Sequence, residues 1–484
     1  MVRGGIKGGK YHLLSKKEIE EIHHTSLKIL QQTGIKSKNN QILALFSKIG
    51  AEVNFEQGRI KFSPALVEDT INKAPSKVIL CGREEKNDLI LEDERVYCGT
   101  GGAALNVLDL ETGEKRGAVL KDIADIAKLV DALDNIHFFI RPVVARDVPR
   151  EFLDVNKYYA ALSNTSKHVM GSAYSVESAL KVISMAEEIA GGEKKLRERP
   201  LISFITCWMK SPLQLDDSTT LILMKIAEEK IPVALSSDPM AGSTSPVTLA
   251  GTLAQVNAEQ LSGMVLTQSI NPGAPVIYGA IPTVADMHSM AFLGGAIELG
   301  ILDAGCAQLA HYYNLPFYAW GGLTDSKIPD IQAGYEKGTT LLLVALAGAN
   351  YIHNSAGMLE STTTVAYEQY VIDNEIIGMV MRALRGIEVN EDTLALDLID
   401  KVGPGGNFLA EEHTVSHMRS EFFFPRVSDR SQREKWLSEG GKDARERARE
   451  IAKDILAEHK PLPLPSDVDK KIKSSVRGLI EFGG

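Results

Sequence analysis

The sequence predicts a (β/α)8 barrel, on three observations. Short runs of β-forming residues recur eight times, at residues 96–98, 136–141, 168–172, 201–208, 232–238, 275–281, 316–322 and 350–355. A helix-compatible stretch follows each of them. The runs start roughly 30 to 45 residues apart, the length of one strand–helix–loop unit. The chain has 484 residues, enough for a barrel of about 250 residues with large additions. In such a fold the chemistry sits where the strands end.

Taken in order, residues 1–92 precede the repeating pattern and predict an N-terminal cap of helices and a small sheet. Ser15 caps a helix over 15–33, with Leu27, Ile29 and Leu30 on one face and Gly34 as its stop. A second helix spans 40–49, and Gln57-Gly58 joins two short strands at 51–55 and 59–62. Ser63-Pro64 opens a third helix, to Lys73. Short strands fill 75–92. Residues 93–388 form the barrel, with an insertion at 104–119 that reads as a hairpin over the mouth, turning at Glu111-Thr112-Gly113. Crossover helices are expected at 120–133, 155–162, 176–190, 216–230, 248–270, 294–313, 329–347 and 368–384. Asp216-Asp217 and Ser245-Pro246 supply helix-opening chemistry. Residues 389–484 are helical and charged, with a loop at Gly403-Pro404-Gly405-Gly406 and a stiff extended segment at 460–466. This extension is expected to pack on the barrel and help to close its top.

Composition excludes several partners. The net charge of −10 argues against nucleic acid, which wants a basic face. The basic tract at 443–453 alternates with acids and reads as a solvated helix face. Cys81, Cys98, Cys207 and Cys306 are scattered without a CxxC, pointing to a reduced compartment. Residues 1–12 lack the apolar core of a signal peptide. The longest apolar run, 341–349, is about half of a bilayer span. A cytoplasmic protein with no membrane partner, forming a homo-oligomer, is expected.

The strand ends carry polar and aromatic residues. Tyr97, Tyr174, Trp208, Tyr278 and Trp320 are candidates for an aromatic cage. Ring faces hold a quaternary ammonium, whose methyls cannot hydrogen-bond, for up to about 2 kcal/mol each when dry. Arg141 suits a carboxylate, which it can grip bidentately, or a structural pair with Asp147 or Asp238. His353 is placed to hold the same carboxylate or to stabilise charge, with Asn354 and Glu360 orienting it. These last three are the candidate catalytic residues. His413 and His417 have i, i+4 zinc-ligand spacing but lack the HExxH glutamate and any evident third ligand. A Cys98/Cys207/His353 zinc site would need strand alternation to cooperate. No catalytic metal is expected. Gly99-Thr-Gly-Gly102 lacks the GK[ST] of a nucleotide loop, and Gly321-Gly322 reads as a barrel phosphate site or as backbone thinned for a large group.

Residues 101–113 (GGAALNVLDLETG), 325–336 (DSKIPDIQAGYE) and 408–417 (FLAEEHTVSH), with Pro425–Arg430 and Trp436, resemble the trimethylamine methyltransferase superfamily over nearly the whole chain. The resemblance implies a (β/α)8 barrel that moves a methyl group from a methylamine to the Co(I) of a corrinoid protein. The family's archetype carries pyrrolysine. This chain has none and is similar to the branch that includes glycine betaine methyltransferase. Its substrate would be a betaine, its cobalamin would be carried by a cognate corrinoid protein, and it would bind no cofactor tightly itself. A tertiary methylamine is the alternative substrate. A betaine-binding sensor or scaffold without turnover is the alternative function.

Overall fold

Eight strands stand where the β-forming runs fall, in a computed structural model that describes residues 5–480. They are β1 (Arg95–Cys98), β2 (Phe138–Ile140), β3 (His168–Gly171), β4 (Ile202–Thr206), β5 (Val233–Ser237), β6 (Val276–Ala280), β7 (Tyr318–Trp320) and β8 (Tyr351–His353). Each is followed by a long helix: α1 (Leu120–Ala132), α2 (Leu153–Asn164), α3 (Val176–Ala190), α4 (Asp217–Glu228), α5 (Leu249–Ile270), α6 (Ile297–Tyr312), α7 (Ile331–Leu346) and α8 (Tyr367–Arg385). Parallel neighbours need such crossovers. β2 to β6 pair in parallel in chain order. β7, β8 and β1 form a second parallel set, with Tyr351 beside both Tyr318 and Tyr97. Parallel bridges at Gly99–Phe138 and Tyr278–Phe317 pass between the two sheets.

Alternation along the strands sorts the side chains into two cores. Phe139, Leu235, Tyr278, Phe317 and Ile352 join the helices in one large core. Phe138, Ala234, Ile277, Tyr318 and Tyr351 face away and share a smaller core with the hairpin of Val78–Leu80 and Leu89–Leu91. That hairpin fills the end where the strands begin. Tyr97 is fully buried against it, its hydroxyl accepting the Ile90 N–H at 3.2 Å and the Gly5 N–H at 3.0 Å.

The N-terminal elements follow their local chemistry. Ser15 and Glu18 form a reciprocal cap on the helix Lys16–Lys28. A π turn, Ile29–Thr33, ends at Gly34, whose φ of 68° is left-handed. The insertion is a hairpin of Asn106–Leu108 and Lys115–Gly117, extended in parallel by Thr364–Ala366.

The C-terminal extension has two characters. α9 (Glu391–Leu394), α10 (Leu396–Val402) and α11 (Glu412–Glu421) bury none of their side chains. α12 (Ala444–Glu458) packs on α1 and α8, and its Arg449 donates to the Leu110 carbonyl of the hairpin at 2.5 Å. The carboxylate of Glu375 on α8 accepts the N–H groups of Arg426, Val427 and Ser428 at 2.6 to 2.8 Å, so one buried acid seats the turn 425–430. Among the described residues no helix is long and apolar enough to cross a membrane.

Two buried lysines hold the frame. Lys167 donates to the carbonyls of Val130, Leu133 and Ile136, closing the C-terminal end of α1. Lys337 on α7 pairs with Asp373 on α8 at 3.2 Å, both about 1% exposed. It also donates to the carbonyls of Gly322 at 2.5 Å and Met358 at 3.2 Å, while Asp373 accepts the Gly357 N–H at 2.7 Å. The loops after β7 and β8 are thereby tied to one ion pair. Removing one partner strands a buried charge, which costs about 3–5 kcal/mol. Asp373→Ala is expected to lose that much in urea unfolding, while Lys337→Met with Asp373→Leu recovers most of it. A single variant as stable as the parent refutes the role.

Candidate active site at the strand ends

Arg141 directly follows β2 and is 9% exposed. Its Nε and Nη1 have no hydrogen-bond partner, and Nη2 reaches Ser172 Oγ only at 3.5 Å. Asp147 is no partner to it, being engaged by the Leu120 N–H at 2.8 Å. No ion pair to Asp238 forms either. A buried guanidinium with bare N–H groups is costly unless something else meets it. The nearest charge of like sign is Lys157, whose ammonium is pushed down to about 8, first by burial and then by Arg141. Lys157 is paired with Asp154, which also accepts the Tyr174 N–H at 2.7 Å and the Ser178 hydroxyl at 2.5 Å. Asp154 thus pairs with Lys157, and the Arg141 guanidinium keeps no carboxylate of its own.

Beyond Arg141 lie Cys207 and Asp238, after β4 and β5. Cys207 is the exposed one of the four cysteines, yet the protein around it pushes its thiol up to about 11, with Asp238 adding to the effect. Burial likewise raises the Asp238 carboxyl above its usual range although the side chain meets solvent. Both groups meet solvent while protein crowds them. Cys207 is also within electrostatic reach of Tyr318, whose hydroxyl is buried and unpartnered.

Tyr318 carries the site across to β8. Its ring stacks on His353 at 4.1 Å and 20°. Trp320, two residues on and on the same face, lies 5.8 Å from His353 and 5.2 Å from Phe292 in the loop after β6. The Trp320 N–H is held by Asp303 at 2.8 Å, and its indole N–H is buried without a partner. Tyr351, two residues before His353, stacks on Phe138 and also has an unpartnered hydroxyl. Unmet donors from Tyr318, Trp320 and Tyr351 therefore share one face of the sheet.

His353 is neutral. Burial pushes its pKa down to about 3, and Nδ1 donates to the Ala319 carbonyl at 2.7 Å, since a carbonyl only accepts. Nε2 then offers a lone pair and no proton, which corrects the expectation that His353 holds a carboxylate. Gly101 lets this ring come close: a Cβ there would lie 2.9 Å from its Cδ2. Asn354 follows at φ 60°, with its Oδ1 buried and unpartnered. Glu360 does not orient His353. Its carboxylate is taken by Lys115 of the hairpin and by Thr364 at 2.9 Å. Glu360, Ser361 and Thr362 are three successive left-handed residues, with φ of 48°, 50° and 76°. They are held by Asp325, which accepts Ser361 Oγ and the Gly294 and Gly295 N–H groups.

Of the five rings expected to form a cage, the fold brings Trp320 and Tyr97 to this face. Tyr97 lies beside Tyr351 in the β8–β1 register, but the hairpin plug takes its hydroxyl. Trp208 turns into the helix layer, into space left by Gly263. Tyr278 faces the same layer and donates to Asn257 Oδ1 at 2.9 Å. Tyr174 is 43% exposed, with Lys157 at 5.2 Å and Arg150 at 5.6 Å over its ring. Its face is already occupied by cations. Strand-end position alone did not distinguish the two faces. Counting back by two from Trp320 and His353 would have found Tyr318 and Tyr351. Cys98 and Cys207 do not converge on His353: Cys98 sits in the helix-side core. Among the described residues one group has metal-ligand spacing, Asp392 with His413 and His417.

The family model described as trimethylamine methyltransferase (MTTB) matches residues 5–477. The chain is 42% identical over 484 residues to a trimethylamine methyltransferase of Desulfitobacterium hafniense, covering 99% of this chain and 96% of that one. It is 38% identical to a trimethylamine methyltransferase of Methanosarcina barkeri, over 97% and 96% of the two chains. It is 35% identical to a glycine betaine methyltransferase from another strain of Desulfitobacterium hafniense, over 96% and 97%.

His353 and His168, the latter pushed down to about 4 by burial, both have folded-state pKa values below the unfolded value near 6.5. The unfolded chain therefore binds more protons below pH 6.5. Stability is full above that pH and falls as the pH drops, by up to about 1.4 kcal/mol per pH unit per histidine. Nitrogen-15 histidine spectra should show the neutral Nδ1–H form of His353 from pH 8 to 5. A titration of that ring within this window contradicts the assignment.

Proposed function

The chain belongs to the trimethylamine methyltransferase family, and from that premise we propose that it takes a methyl group from a quaternary amine bearing a carboxylate, a betaine, and delivers it to the Co(I) of a separate corrinoid protein. The observation that carries the substrate class is Arg141, nine-tenths buried with two unpartnered nitrogens. A carboxylate would grip the guanidinium bidentately along the Nη1/Nη2 or the Nε/Nη2 edge, where Nη2 has only the long contact to Ser172. Trimethylamine has no group to offer it. On this reading Trp320, Tyr318 and Tyr351 supply the ring faces and unmet donors of a polar-edged pocket. We also propose that the two parallel sheets close into one (β/α)8 barrel over residues 93–388, between an N-terminal cap and a C-terminal extension. The bridges Gly99–Phe138 and Tyr278–Phe317, which link the sheets at both edges, support this.

The chemistry asks little acid–base work of the chain. The N–CH3 bond breaks with its electron pair staying on nitrogen, and the departing tertiary amine is neutral. The partner's corrin supplies the electron pair that forms the new bond to carbon. The chain's own residues bind the substrate at Arg141, orient its N–CH3 bond toward the opening and exclude water. A neutral His353 suits a site where no proton moves. The loops after β5, β6 and β7 expose Val247, Met287, Met290 and Ile328, and the first turns of α7 expose Ile331 and Tyr335. Apolar side chains gathered on strand-end loops suit a docking partner.

The tertiary-amine reading is favoured by the higher identity to the first trimethylamine methyltransferase above, 42% against 35%. Substrate panels separate the two. With a Co(I) corrinoid protein and reductant, methyl-Co(III) absorbance should grow with glycine betaine or a related betaine. Growth with trimethylamine alone overturns the betaine reading. Arg141→Gln is expected to weaken betaine binding about 10- to 150-fold, the value of charge-assisted hydrogen bonds of about 1.5–3 kcal/mol. Unchanged affinity removes Arg141 from the site.

Trp320→Ala should weaken betaine binding roughly 5- to 30-fold, or about 1–2 kcal/mol, with the melting temperature preserved, and Trp320→Phe should lose less. A lower melting temperature with unaltered Kd instead assigns Trp320 to packing.

A further inference from the structure

The HxxxH pair that lacked a third ligand in the sequence gains one in the fold. His413 and His417 lie on one face of α11, their rings stacked at 4.1 Å and 19°. Asp392, in the first turn of α9, faces them. His417 Nε2 is 2.9 Å from Asp392 Oδ2, and His413 Nε2 is 3.1 Å from the Asp392 carbonyl. One ligand atom from each residue lies within 4.8 Å of the others. We infer that Asp392, His413 and His417 bind a divalent transition ion of the zinc class and so clasp α9 to α11.

Three features support a built site. Two imidazoles and one carboxylate are a recurrent zinc donor set, leaving a fourth position for water. A metal-bound histidine ordinarily donates its other ring N–H to a carbonyl or carboxylate. His417 does this already, with Nδ1 3.0 Å from the His413 carbonyl, which fixes Nε2 toward Asp392. The 2.9 Å gap between His417 Nε2 and Asp392 Oδ2 needs to widen by only a few tenths of an ångström. Tetrahedral zinc with N and O arms of about 2.0–2.2 Å sets such atoms roughly 3.3–3.5 Å apart. The ion would replace the proton now shared between them.

The surroundings explain what the ion would do. α9, α10 and α11 bury no side chain, so hydrophobic packing does not hold them. They hang from the end of α8 that lies beside the strand starts, where Arg382 donates to the Glu421 carbonyl at 2.6 Å. This is away from the strand ends, so the ion takes no part in the proposed methyl transfer, and the inference is independent of the substrate. In such sites metal-binding free energy is folding free energy.

The test uses the full chain, stripped with chelator and titrated with zinc by calorimetry and with cobalt(II) by visible absorption. One saturable zinc per chain is expected, with four-coordinate cobalt bands. His413→Ala, His417→Ala and Asp392→Asn should each weaken binding by more than about 100-fold, the upper end of what outer-shell loss costs. Zinc should slow amide exchange across residues 391–421 and leave β1–β8 unaffected. No saturable binding, or binding that Asp392→Asn leaves undisturbed as expected of a loose histidine pair, overturns the site. Unchanged exchange in 391–421 overturns the clasp.

Discussion

The Lys337–Asp373 pair is the constraint on which the strand-end face depends. Neither group sees water, so each needs the other. Both are committed to backbone as well: Lys337 to the loop after β7, Asp373 to the loop after β8. Trp320 and His353 end those same strands. The two are register partners across the β7–β8 ladder, and the salt bridge between the helices fixes the loops that leave them. Around it a second ring of acids acts on backbone N–H groups. Asp325 holds Gly294 and Gly295, and Glu336 holds Asp325. This gives physical content to residues 325–336, a stretch rich in polar groups that face inward among the loops.

The polar inventory of the cleft is unusual in what it leaves unmet. Most buried polar atoms in a folded chain find partners. Here Arg141, Trp320 and Asn354 each keep an unpartnered atom at the strand ends, and Tyr318 and Tyr351 do so deeper along the same strands. The titratable groups are pushed toward neutrality, with His353 deprotonated and Cys207 protonated at pH 7. The fixed charge that stands free is the guanidinium. The proposed site would recognise by shape, ring face and one anion contact. It has little with which to move protons, which suits a substrate whose leaving group needs none.

The strand–helix repetition was readable because β-formers and helix stretches alternate at a regular spacing. The N-terminal cap was readable because Ser15, Gly34 and Gly58 carry conformational information in single residues. The candidate site was legible only in part. Arg141 and Trp320 stand where the sequence puts them, at strand ends. Trp208 and Tyr278 were misplaced because a strand end tells height along the sheet but not which face, and one residue of register exchanges the faces. Tyr97 failed for another reason. It is the third residue of β1, and a hairpin strand whose Ile90 lies 7 residues earlier takes its hydroxyl. Glu360 was misassigned because its partner, Lys115, comes from an insertion 245 residues away. The Asp392 contact to His417 was invisible likewise: nothing local marks an acid 25 residues upstream as a neighbour.

The hairpin that fills the strand-start end sets the order of events as well as the packing. With Val78–Leu80, Leu89–Leu91 and Tyr97 closing that side, the proposed pocket has a single door. A small methyl donor and a protein-borne acceptor must both use it, and the larger closes it for the smaller. Kinetics on such a plan are sequential and ordered. The amine enters first, the acceptor docks second, and the demethylated amine stays enclosed until the acceptor departs. Turnover is then paced by the dissociation of two proteins, and a high concentration of unmethylated acceptor inhibits by blocking an empty enzyme.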